Sequence, residues 1–208
     1  MNSLLVETGQ GKTWSVGMTT MRTAQLGSDQ LHLLGQVPRP GDRLTAEFSI
    51  PAARVADRPL TADELRRGLV LVSTLPNIQK HACMAQIVAL EEQGSEKLSE
   101  WTMVHVSADH EDHWREVDRF HPNVRAAGYS LCCADPASRE AFMTAFGVGV
   151  EDHHRIAHGL FALRDGVFLE VEIPHDQMRP AEVEGFLLRL SGAPGTPLSQ
   201  VPRTGSDE

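Results

Sequence analysis

The chain has 208 residues, 41% hydrophobic and 23% charged, which suits one globular domain with a sizeable core. Its formal net charge is -9 and no basic stripe is present, which argues against nucleic acid and anionic membranes as partners. No apolar run approaches the ~20 residues of a membrane span, and MNSLLVETGQGKTW lacks the basic start and apolar block of a signal peptide. Three cysteines (Cys83, Cys132 and Cys133) are too few and too oddly spaced for a disulfide framework, so a reduced, cytoplasmic protein is expected.

Residues 1–17 carry no clear period and read as an N-terminal extension; 18–192 form the domain. TMRTAQLGSDQLHLLG predicts two short strands around Gly27-Ser28-Asp29, a hairpin. VPRPGDRLTAEFSI is a loop leading to a short strand, and LTADELRRG is a short helix with a Thr/Asp start and a Gly stop. GLVLVST, residues 68–74, is a continuous aliphatic and β-branched run, the pattern of a strand buried on both faces. TLPNIQKHACMAQ follows it and leads into the helical spacing of CMAQIVALEEQ. WTMVHVSAD predicts a second such strand, and EDHWREVDRF a charged outer helix with Trp114 and Phe120 turned inward. YSLCCAD reads as a strand, and PASREAFMTAF as a helix with Pro in its first turn and a stop before Gly147. GLFALRDGVFLEVEI is two strands around Arg164-Asp165-Gly166, and RPAEVEGFLLRLSG is the last helix. Residues 193–208, rich in Gly, Pro, Ser and Thr, read as a flexible tail. This order predicts an α/β domain with a mixed sheet and helices on both faces.

In such sheets, sites gather at the C-terminal ends of strands, where TLPNIQKHAC lies. Cys83 is predicted in the first turn of a helix. Unpaired backbone N–H groups and the positive dipole end favour a thiolate there, and Lys80, three residues earlier, adds charge if it points inward. The bland reading is a buried, inert cysteine acting as a small hydrophobe.

STLPNIQKHACMAQ resembles the active-site segment of the thiol peroxidase subfamily of peroxiredoxins, whose pattern is a strand and then Pro-x-x-x-Thr-x-x-Cys; Pro76 and Cys83 match at that spacing. RTAQLGSDQLHLLGQVPRPGDRLTAEFSI, VHVSAD, AFMTAFGVGV and GLFALRDGVFLEVEI are similar to further segments of that subfamily, so the likeness runs from about residue 20 to residue 191. It implies a thioredoxin-like, peroxiredoxin-type fold with an N-terminal β-hairpin. It also implies reduction of a hydroperoxide through an oxidised Cys83, and a homodimer. Cys83 is then the nucleophile, with Lys80 and His158 as charge donors and Pro76, His81, Ala82 and Arg155 around the peroxide.

The chain departs from the family pattern in three ways. Lys80 stands where the family has the active-site Thr. His158, with Arg155 nearby, stands where it has an Arg. The helix after Ser-Ala-Asp holds no resolving cysteine. A donor fixed to receive charge from a breaking O–O bond is worth ~10²–10³ in rate. Lys80 cannot both give and accept as a hydroxyl does, and His158 is only partly charged near neutral pH. Without a resolving cysteine the sulfenate needs an external thiol reductant, the mark of a one-Cys enzyme. Read as strand residues, Cys132 and Cys133 point to opposite faces and are taken as buried small hydrophobes.

Eight of the ten histidines crowd the middle of the chain: His81, His105, His110, His113, His121, His153, His154 and His158. If strand-end loops bring His81, Cys83, His110, His113 and His158 together, they make a candidate site for Cu, Zn or Fe. The alternative function is therefore a repurposed thioredoxin-fold protein that binds a metal or small ligand without peroxide turnover. The peroxidase reading needs no cofactor. The bland reading of the histidines is solvated side chains on surface loops. A biosynthetic enzyme that directs Cys83 at another electrophile is a third option, for which no residue names a substrate.

Overall fold

The computed structural model of the protein describes residues 22–151 and 155–192, with the side chains of 95 and 96 excepted. The extension at 1–17, the tail at 193–208, and His153 and His154 lie outside the described residues.

The predicted N-terminal hairpin is present as β1 (Arg22–Leu26) and β2 (Asp29–Leu34), paired antiparallel with Leu26 opposite Asp29. Two-residue strands β3 (Ser49–Ile50) and β5 (Leu60–Thr61) pair with each other, and between them β4 (Ala52–Arg54) forms a sheet edge. Helix α1 (Ala62–Leu65) opens with a capping box. The Thr61 hydroxyl accepts from the Glu64 amide, and the Glu64 carboxylate accepts from the Thr61 amide. The buried run becomes β6 (Leu69–Leu75), followed by α2 (His81–Lys97), β7 (Thr102–Ser107), α3 (Trp114–Phe120), β8 (Ala127–Ser130) and α4 (Pro136–Phe146). Strand β9 (Gly149–Val150), the terminal hairpin β10 (Gly159–Arg164) and β11 (Val167–Glu172), and α5 (Val183–Gly192) complete the chain.

The six-stranded central sheet has the order β11-β10-β6-β7-β8-β4. Strands β6, β7 and β8 run parallel; β10, β11 and β4 add antiparallel pairings. Alternate residues of β6 serve opposite faces, as a strand requires. Val70 and Val72 pack with Phe142 and Phe146 of α4, while Leu71 packs with Leu90 of α2 and Phe186, Leu187 and Leu190 of α5. The α4 face is built on phenylalanines, with Phe146 edge-on to Phe161 at 4.9 Å and stacked on Phe142 at 4.4 Å. Asp135 caps α4, Pro136 fills its first turn, and Gly147 ends it at φ 62°, where a side chain would meet the Gln36 carbonyl. Asp165 and Gly166, both at positive φ, make the two-residue turn of the last hairpin. No described helix is long and apolar enough to cross a membrane.

Two local expectations are corrected. The strand read from YSLCCAD ends at Ser130, and Leu131–Cys133 form a 3₁₀ turn closed by the Ala134 amide on the Leu131 carbonyl at 3.1 Å. Leu131 is drawn into the α4-side core there, and the chain leaves the sheet to start α4. The helix read from EDHWREVDRF begins as a 3₁₀ turn, Glu111–His113, and Phe120 is 63% exposed instead of inward. Trp114 and Val117 share the buried face at i, i+3, and Phe120, six residues on from Trp114 and last in the helix, has turned past the edge of that face.

Candidate active site

Strand β6 stops at Leu75, and Pro76, which has no amide to donate, begins the connection to α2. The loop folds back on itself: Lys80 N–H donates to the Asn77 carbonyl at 2.9 Å, and Gln79 N–H donates to Asn77 Oδ1 at 3.0 Å. Asp109, just beyond β7, fastens it. Its Oδ2 accepts from Ile78 N–H at 2.7 Å and from the Ser107 hydroxyl at 2.8 Å. Helix α2 begins at His81 with no side-chain cap, and Cys83 is its third residue, in the first turn as predicted.

The sulfur is not the exposed thiolate that the helix start suggests. Cys83 is 1% exposed and packs with Leu75, Ile78, Ile87, Trp114, Val117 and Val124. Burial pushes its thiol up to about 12; the Asn77 amide, donating to Sγ at 3.3 Å, works the other way, and the Asp109 charge adds to the rise. The expectation of an ionised sulfur is thus overturned for this conformation, because desolvation outweighs the helix end. Lys80 and His81 are exposed, Ala82 and Pro76 are half-buried, and Arg155 is exposed.

The partner that does reach the sulfur is His158, at the head of β10. Its Nε2 lies 3.6 Å from Cys83 Sγ. Its Nδ1 lies 3.1 Å from Gln86 Oε1, and its backbone N–H donates to Gln177 Oε1 at 2.6 Å. Gln86 is fully buried and its orientation is fixed. Oε1 accepts from Ala181 N–H at 2.9 Å, while Nε2 faces the Ser73 hydroxyl at 2.9 Å and the Thr74 carbonyl at 3.3 Å. An oxygen that already accepts from a backbone amide can only accept from Nδ1 as well, so Nδ1 carries the imidazole proton. The bare Nε2 is left facing the thiol as an acceptor. Burial pushes His158 down to about 4, so it is neutral at neutral pH. Where a cationic donor was expected, the structure has a neutral imidazole whose Nε2 faces the thiol.

Gln86 and Gln177 were not singled out from sequence, and Asp109 was seen only as a strand end. The Cys83-x-x-Gln86 spacing puts both side chains on one helix face, the one signal in the sequence that could have pointed to Gln86 as a support for the Cys83–His158 pair.

The metal-candidate set is not assembled. Among the described residues, no group of three or more His, Cys, Asp or Glu side chains could hold a metal ion. His81 points to solvent, His110 pairs with Asp112 at 3.2 Å, and His113 pairs with Asp109 at 3.3 Å, so only Cys83 and His158 of the five meet.

No protein-family model and no curated protein matches the chain. Solved structures do. A peroxiredoxin-like protein from Aquifex aeolicus superimposes with a TM-score of 0.64 at 16% identity, covering 81% of this chain and 95% of that one. A thiol peroxidase from Chromobacterium violaceum gives 0.65 at 15% identity over the same shares, 81% and 95%. AhpC of Mycobacterium tuberculosis gives 0.56 at 16% identity, covering 75% of this chain and 93% of that one. At these identities the likeness establishes the fold alone: the chain has a thioredoxin-like, peroxiredoxin-type architecture.

Proposed function

We propose that the protein is a one-Cys, thiol peroxidase-like oxidoreductase in which Cys83 reduces a hydroperoxide and His158 removes the thiol proton during the attack. The observation that carries this reading is the contact of Cys83 Sγ with the bare Nε2 of His158, in a tautomer fixed by Gln86. Sulfur attacks the outer peroxide oxygen, the O–O bond breaks, and the proton held on Nε2 passes to the leaving alkoxide or hydroxide. Cys83 ends as a sulfenic acid and the peroxide as an alcohol or water. One external thiol then displaces water from the sulfenic acid to form a mixed disulfide, and a second restores the Cys83 thiol. A cleft of about 250 Å³ is lined by Ile78, Met84 and Val117, all packed in the cluster around Cys83.

Peroxide treatment followed by a sulfenate-trapping reagent and peptide mass spectrometry tests this. Label at Cys83 that is lost in Cys83→Ser is expected; a Cys83 that stays a thiol while Cys132 and Cys133 oxidise would refute it. The near-complete burial of Cys83 favours a second reading, a peroxiredoxin-type scaffold repurposed without turnover, and that refuting result is the one it predicts. The metal-binding form of that alternative, through Cys83 and the nearby histidines, lacks a group of three or more ligands among the described residues.

A further inference from the structure

The 3₁₀ turn after β8 sets two adjacent sulfurs side by side at the carboxyl end of the sheet. Cys132 is exposed and Cys133 partly so, and their Sγ atoms lie 3.8 Å apart. One buried hydroxyl holds both to the same side: Ser130 Oγ is 3.5 Å from Cys132 Sγ and 3.2 Å from Cys133 Sγ, and it donates to the Asp109 carbonyl at 2.5 Å. As strand residues the two would have diverged; on the turn they converge.

A disulfide fits this pair badly. Neighbouring Cα atoms are about 3.8 Å apart, short of the ~4.4–6.8 Å that unstrained disulfides span. A shared cation fits it well. With sulfur–zinc bonds of about 2.3 Å, two sulfurs 3.8 Å apart subtend an angle of about 110° at the ion, close to the tetrahedral value. Burial holds the Cys132 thiol above its ordinary value, the Ser130 hydroxyl works the other way, and Cys133 and the Asp109 charge add to the rise, so an incoming cation must displace the proton.

We infer that Cys132 and Cys133 form a two-sulfur binding site for a zinc-sized, thiophilic divalent cation, separate from Cys83. Binding displaces two thiol protons and forms two metal–sulfur bonds, with no change in oxidation state. No third His, Cys, Asp or Glu side chain among the described residues joins them, so the other two coordination positions belong to water or to small external ligands. The site is therefore exchangeable, and its affinity rises with pH as protons compete less.

Cobalt(II), which takes zinc's geometry and shows thiolate charge-transfer and tetrahedral ligand-field bands, is the probe. Titrated into the reduced full-length protein, it should saturate at one ion per chain and be displaced by zinc. The bands should persist in Cys83→Ser and fall at least tenfold in apparent affinity in both Cys132→Ser and Cys133→Ser. Either substitution replaces a partly or fully exposed side chain, and the circular dichroism of both variants should match the parent. Bands that are absent from the parent, that survive in the double Cys132→Ser/Cys133→Ser variant, or that need only one of the two sulfurs would overturn the inference.

Discussion

Replacing His158 with Phe keeps a ring at the head of β10 and removes the base, and the effect on Cys83 oxidation should depend steeply on pH. With the thiol at about 12 and the imidazole at about 4, moving the proton from Sγ to Nε2 costs about 11 kcal/mol. Attraction between the resulting charges, 3.6 Å apart, returns about 5 kcal/mol at an effective dielectric constant of about 20. The internal route thus costs about 6 kcal/mol, and it costs the same at every pH above the His158 value. Losing the proton to water costs about 9 kcal/mol at pH 5.5, about 7 at pH 7 and about 5 at pH 8.5. The parent protein should therefore show a nearly flat rate of sulfenate formation from about pH 5 to 7, rising above about pH 8. His158→Phe should lose about 100-fold at pH 5.5 and almost nothing at pH 8.5. Stopped-flow oxidation with peroxide across this range, on a background of Cys132→Ser/Cys133→Ser so that only Cys83 reports, gives both profiles. A parent rate that climbs tenfold per pH unit from pH 5 upward, or a variant that tracks the parent, would refute the role assigned to His158.

Three further outcomes follow from the same geometry. Gln86→Leu leaves His158 Nδ1–H and Ala181 N–H without their acceptor; it should lower unfolding free energy by about 2–4 kcal/mol in denaturant titrations and erase the acid plateau of the rate. Asp109→Asn removes a charge that holds the Cys83 thiol up, so the thiol value should fall and oxidation at pH 8.5 should quicken by about threefold or more. His158 and His105 are both buried, with values near 4 and near 3 when folded against about 6.5 when unfolded. The unfolded chain takes up the protons, so the stability these two contribute is complete above about pH 6.5 and drains away as pH falls towards 4. The loss by pH 4 should reach about 3 kcal/mol for each, measured by urea unfolding, and His158→Phe should halve the slope.

The scaffold was legible because its signals are local. GLVLVST names a strand covered on both faces, Thr61 and Glu64 name a capped helix, and Asp165-Gly166 names a tight hairpin turn. The place of Cys83 followed from the same logic, an aliphatic run ending before Pro76 and helical spacing from Cys83 onward, in a helix that the structure starts at His81. Its charge state did not, because ionisation depends on burial by Trp114, Val117 and Val124, which arrive from 31 or more residues further along the chain. The dyad was half legible. His158 was picked by position, but its neutrality and tautomer come from Gln86, whose fixing contacts lie on β6 and at Ala181. Strands of two or three residues, β3, β4 and β5, carry too few alternations to be read individually, and β4 and β5 were missed. The turn at Leu131–Cys133 was hidden by β-forming neighbours; it is set by the burial of Leu131 against the α4-side core.

The most direct measurement is the site and rate of peroxide oxidation in the reduced Cys132→Ser/Cys133→Ser protein at pH 6, read by sulfenate trapping and mass spectrometry with and without His158→Phe. A Cys83 adduct that forms with the parent histidine, slows by about tenfold or more without it, and disappears on addition of a small external thiol is the predicted result. A Cys83 that remains a thiol throughout, with His158 present, would contradict it.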